Sequence, residues 1–108
     1  MSDDMQIAVI DNYLMIKMPQ EVDHHRAADI RLHADAMLFQ QNVKNIVFDF
    51  EDTTFMDSSG IGIIVGRYRK VSCVNGKVFA INADKRIRRI LSAPNLVNII
   101  TNIERTEK

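Results

Sequence analysis

The stretch FMDSSGIGIIVGRYRK, Phe55 to Lys70, decides how the rest of the chain is read. From about Ser58 onward it has the apolar spacing of a helix, yet Gly60, Gly62 and Gly66 fall inside it. Each glycine in a helix interior costs roughly 0.8–1 kcal/mol relative to alanine. A helix that accepts this cost three times needs a reason for bare backbone. Taking Ser58 as origin and about 100° per residue, Ile61, Ile64, Val65, Tyr68, Val71 and Ser72 gather on one side, the expected buried face. Ser59, Gly62, Ile63, Gly66, Lys70 and Cys73 gather opposite. An outward Ile63 between two glycines suits the close approach of another protein. The same glycines could equally serve tight packing inside the domain, and the wheel alone leaves both readings open.

Working outward, NIVFDF (Asn45 to Phe50) precedes this helix as a strand, and KVFAI (Lys77 to Ile81) follows it after an Asn75-Gly76 stop. Upstream, MQIAVI and YLMIKM flank Asp11-Asn12 and read as a hairpin that Pro19 terminates. Between them and Asn45, a helix starts near His24 behind Asp23, with Ala27, Ile30, Ala34, Met37 and Leu38 as its apolar stripe. Downstream, Asp84 caps a helix from Lys85 to about Ala93, with Ile87, Ile90 and Leu91 inward. Pro94-Asn95 closes that helix, and LVNIIT (Leu96 to Thr101) reads as a last strand. The order ββαβαβαβ predicts an α/β fold, a small mixed sheet with helical crossovers and much of it parallel.

Composition fits one globular domain spanning residues 1–108, with 46% hydrophobic and 26% charged residues. Fourteen Lys and Arg balance fourteen Asp and Glu, so net charge offers no basis for direct nucleic-acid or membrane binding. The single cysteine, Cys73, forms no disulfide within the chain. No apolar run approaches a membrane span, and MSDDM is not a signal peptide, so a soluble protein of the reducing cytoplasm is expected.

At the start of the glycine helix, either Asp57 or Ser58 can be the N-cap. Helix N-termini favour negative charge, so this domain would tolerate a phosphate on Ser58. Any partner resting there would feel the added −1.5 to −2 charges, approximately. On local grounds alone, D-S-S-G reads better as a plain capping sequence.

DSSGIGIIVGRYRKV, preceded by NIVFDFEDTTFM and earlier by EVDHH, resembles the STAS-domain anti-sigma factor antagonists, in particular those of the sporulation sigma-F pathway. The likeness runs from about Met5 to Ile100. It implies the STAS fold and a binding module, not an enzyme, with no cofactor. The implied partners are an anti-sigma factor that is also a serine protein kinase, and a serine phosphatase. Ser58 maps to the phosphoacceptor, Asp57 to its neighbour, and Ser59, Gly60, Ile61, Gly62, Ile63 and Gly66 to the contact face. Asp23 resembles the aspartate of the family's first loop. A STAS partner switch of a general-stress or other sigma-factor pathway is the alternative, ahead of a nucleotide-binding protein or enzyme. The chain departs from the family at Gln20 and Asn95, where relatives often carry glycine, and Lys108 falls short of the usual C-terminal helix.

Other constellations carry less. His24-His25 are adjacent on a helix and do not face each other, so no metal is assigned. Lys85, Arg86, Arg88 and Arg89 form a basic helix face, ordinarily solvated and suited at most to an acidic patch on a partner. D-S-S-G is not the G-x-S-x-G of a serine hydrolase, and GIGIIVG lacks the ending of a phosphate loop.

Overall fold

The computed structural model describes residues 5–103. Strands β1 (Gln6–Ile10) and β2 (Tyr13–Lys17) form the antiparallel hairpin, with Ile10 opposite Tyr13. Asp11 takes φ 57°, a left-handed conformation that a short polar side chain tolerates in a two-residue turn. Next come β3 (Glu21–Val22), helix α1 (His24–Gln40), β4 (Asn45–Asp49), β5 (Phe55–Met56) and helix α2 (Ser58–Ser72). The chain continues through β6 (Val78–Ile81), helix α3 (Lys85–Leu91) and β7 (Ile100–Ile103).

The main sheet has the order β1-β2-β4-β6-β7, and every pair except the hairpin is parallel. Each crossover steps to the next strand in the same direction. Crossovers of one hand moving in one direction leave all their helices on one face of the sheet. The core confirms this: Leu14, Ile16, Ile46, Phe48, Val78 and Ala80 from the strands cluster with Ala27, Ile30, Ile63, Ile64, Ile87 and Leu91 from the helices. Met37, Leu38 and Ile90 sit at the margin, partly buried.

β3 and β5 form a separate two-stranded parallel ribbon, Glu21 beside Phe55 and Val22 beside Met56, absent from the expected element order. At the other end of α2, Asn75 takes φ 61° and the Gly76 amide donates to the Val71 carbonyl at 2.8 Å. Gly76 is required by close approach, because a Cβ there would run into the backbone carbonyl of Lys44. The last strand begins later than Leu96. The amides of Leu96 and Ile99 donate to carbonyls three residues back, and those of Val97 and Ile100 to carbonyls four back. The segment therefore winds in turns, with Leu96 buried, before β7 joins the sheet.

Candidate functional site

The ribbon of β3 and β5 delivers two helices side by side. One residue past the register pair Val22–Met56 stand Asp23 and Asp57, the N-caps of α1 and α2. Asp23 Oδ1 accepts from the Arg26 amide at 2.9 Å, and Asp57 Oδ1 from the Ser59 amide at 2.8 Å. The Asp57 amide donates to the Val22 carbonyl at 3.1 Å, tying the start of α2 to the strand before α1. Of the two capping candidates, the structure selects Asp57. Ser58 is thereby free for other work: it is the first helical residue, it is exposed, and among the described residues none bonds its hydroxyl.

The outward face of α2 lies about a quarter turn from the one expected from the wheel, at about 100° per residue. Gly60, Ile63, Ile64, Arg67 and Val71 are buried. Ile63, expected to point outward, is fully buried in the core and cannot touch a partner directly. Gly60 also faces inward, where a Cβ would meet the Met56 side chain. Ile61, Val65 and Tyr68, expected inside, are only partly buried, as is Ser59.

Arg67 lies on the inward face in this phase. Its side chain is almost fully buried beneath α1, its Nε lying 3.0 Å from Asp35 Oδ1. The N–H does not point along that line, so this contact is an ion pair rather than a hydrogen bond. Further contacts at 3.4 Å run from Nη2 to Asp35 Oδ2 and from Nη1 to the Ile63 carbonyl. Burial pushes the Arg67 pKa down and Asp35 pulls it back.

On the outward face, Ser58, Gly62 and Arg69 fall on one line and are exposed, with Gly66 beside them half-exposed. Positions 62 and 66 have open space where a Cβ would stand, so neither glycine is needed for packing within the domain. The result is a bare strip of helix with a serine at its head. Two neighbours were not placed at this site by the sequence. Phe55, 46% exposed, stands at the edge of the ribbon three residues before Ser58. Arg86 of α3 reaches the Thr54 carbonyl at 3.4 Å, which brings the basic start of α3 beside β5. The alternation Phe55-out, Met56-in was the available signal for the first; the second depends on tertiary contact alone.

The STAS-domain family profile matches residues 4–108. The chain belongs to the STAS-domain family. An anti-sigma F factor antagonist of Lysinibacillus sphaericus is 34% identical over 77% of this chain and 71% of its own. Another, of Paenibacillus polymyxa, is 29% identical over 81% of this chain and 74% of its own. Among solved structures, the anti-sigma factor antagonist SpoIIAA in its unphosphorylated form superposes with a TM-score of 0.81 at 29% identity, over 92% of this STAS domain and 87% of that chain. The phosphorylated form of the Bacillus cell fate determinant SpoIIAA gives 0.73 at 30% identity, over 92% and 90%. This STAS domain also shares its fold with the Thermotoga maritima protein TM1081, at a TM-score of 0.79 and 21% identity over 94% of this chain and 86% of that one.

Proposed function

We propose that this STAS domain is an anti-sigma factor antagonist controlled by phosphorylation. Unphosphorylated, it binds an anti-sigma factor that is also a serine kinase, and so releases the sporulation factor sigma F. Phosphate on Ser58 ends the binding, and a serine phosphatase restores it. The domain acts in the cytoplasm as a binding module, without catalysis of its own. Among the described residues no helix is long and apolar enough to cross a membrane.

One observation carries this reading: an exposed, unbonded serine hydroxyl heads a strip of α2 that two glycines keep bare. A kinase needs an accessible hydroxyl, and Ser58 offers one. The switch then follows from electrostatics. The first-turn amides and dipole of α2 accommodate a phosphate, so the fold survives the modification. A partner lying along Gly62 and Gly66 would meet roughly two new negative charges at the end of its footprint. Asp23 and Asp57, the paired caps, add their own negative charge at this corner, with Arg86 of α3 the cation nearby. The names of the relatives, anti-sigma F factor antagonists, and the existence of SpoIIAA in both phosphorylation states support the same assignment.

The test is to incubate the protein with ATP and the anti-sigma F factor of the same organism, then to map the modification by mass spectrometry. A single phosphate on Ser58 is expected. Phosphate on Ser59 instead, or none, would overturn the assignment.

A further inference from the structure

All three helices begin at the carboxyl ends of the parallel strands, and the sheet order sets their starts side by side as α1, α2 and α3. Two contacts tie the start of α3 to the approach to α2. Asn82, just before α3, donates from Nδ2 to Asp49 Oδ1 at the end of β4, at 3.0 Å. Helix α3 packs against β5, and Arg86 Nη1 lies 3.4 Å from the Thr54 carbonyl. Ser58 is two residues beyond β5 and four beyond Thr54. Four residues span at most about 14 Å, and the turn into the helix at Asp57 shortens that. Arg86 and Ser58 are both exposed at this corner.

The basic side chains here lack an anion. Lys85, Arg86 and Arg89 border a shallow cleft of about 350 Å³ with Asp84, whose carboxylate is occupied by the Ile87 amide at 2.9 Å. Among the described residues none of the three pairs with a carboxylate. Across the corner, the Asp23 and Asp57 carboxylates accept from the Arg26 and Ser59 amides. The single hydrogen bond of Arg86, to Thr54, is long and has a neutral acceptor. A guanidinium presents its donors as a planar fork that suits phosphate, and such charge-assisted pairs are about twice as strong as neutral ones. We infer that Arg86 gives up the Thr54 carbonyl and pairs with the phosphate on Ser58, holding it within the same chain. This rests on Ser58 being the phosphorylated residue, as proposed above.

The pairing shapes the modified state without reversing the switch. The phosphate brings roughly −2 charges to a corner where Asp23 and Asp57 already stand. One guanidinium offsets only part of this, so a partner still meets net negative charge. A cation in contact favours the phosphate dianion, whose second ionisation lies near about pH 6 in a free phosphoserine. The paired phosphate therefore keeps its full charge in mildly acidic conditions, where an unpaired one takes up a proton.

Phosphoserine inserted at position 58 during translation of the full chain tests the pairing without a kinase. Titration of its phosphorus resonance by NMR, from about pH 4.5 to about pH 8, reads the second ionisation. The midpoint should lie about 0.3–0.7 lower in the wild type than in Arg86→Ala, the range for an exposed ion pair. Arg86 is exposed, so its replacement leaves the core intact. Arg86→Lys should keep part of the lowering, because the charge stays and the fork is lost. Lys77→Ala, at the opposite end of the sheet, should move the midpoint by less than about 0.1. The other charged and titratable groups on the elements that meet here are Glu21, Asp23, His24, His25 and Arg26 on β3 and α1, Asp57 before α2, and Asp84, Lys85 and Arg89 around α3. All of them are common to the four chains, so the difference reads Arg86. The Arg86 Nε–H signal should also move when Ser58 carries the phosphate. Equal midpoints in the wild type and Arg86→Ala, an equal change in Lys77→Ala, or a static Arg86 Nε–H signal would overturn the inference. A kinase that leaves Ser58 unmodified would instead sink the switch proposed above, while the titration decides the pairing on its own.

Discussion

Replacing Gly62 or Gly66 with alanine separates what α2 needs for folding from what it offers a partner. Both positions lie inside a 15-residue helix, and apart from the adjoining helix backbone neither has an atom within 4 Å of where the new methyl would sit. The substitution therefore gains helix propensity without a clash, about 0.8–1 kcal/mol per site. For a domain of this size, each kcal/mol raises Tm by roughly 4–8 °C, and the double variant should gain about twice the single one. Binding should move the other way. A partner seated on bare backbone would be overpacked by a methyl at a cost of about 1–3 kcal/mol, or roughly 5- to 150-fold in affinity. Melting temperature and calorimetric affinity for the anti-sigma partner, measured on the same variants, provide the assay. A raised Tm with unchanged affinity would refute the docking role of the strip. A lowered Tm would refute the outward orientation of both glycines.

Asp57→Ala should cost about 0.5–2 kcal/mol of stability as the lost cap, whereas Ser58→Ala should be nearly neutral and Ser58→Asp neutral to slightly stabilising. Thermal unfolding of the three variants checks this ranking, and an equal cost at both positions would mean that Ser58 shares the cap. Ile63→Ala should cost about 2–5 kcal/mol in denaturant unfolding because the side chain is fully buried; a change below about 0.5 kcal/mol would place Ile63 outside. Asp35→Ala strands a buried guanidinium and should cost about 2–3 kcal/mol, somewhat below the usual figure for a broken buried pair because Asp35 itself is partly solvated. Arg67→Met, which removes the buried charge, should be much milder, and denaturant midpoints that reverse this order would contradict the pairing.

The sequence revealed the fold wherever side-chain periodicity was long and unambiguous. Ala27, Ile30 and Ala34 at helical spacing placed α1, and the apolar run NIVFDF placed β4. Asp11-Asn12 marked the hairpin because few residues accept a left-handed turn. β3 and β5 escaped notice because two residues carry no period; they exist through pairing with each other, a tertiary fact. The phase of α2 was misread for a similar reason. The wheel left Arg67 unplaced, and it lies inside on contacts with Asp35, 32 residues earlier, and with the Ile63 carbonyl. In the observed phase Ile63 is core, and Ser58, Gly62 and Arg69 stand in line on the outward side. The D-S-S-G junction was legible as a helix start, but not which residue capped it. That depended on the Asp57 carboxylate meeting the Ser59 amide.

The most direct test compares the affinity of the anti-sigma F factor for this protein before and after stoichiometric phosphorylation of Ser58, by titration calorimetry at fixed salt. Tight binding of the unmodified form is expected, with a loss of at least about tenfold, or about 1.4 kcal/mol, on phosphorylation and no change in fold by circular dichroism. Equal affinity of the two forms, or tighter binding of the phosphorylated one, would contradict Ser58 as the switch.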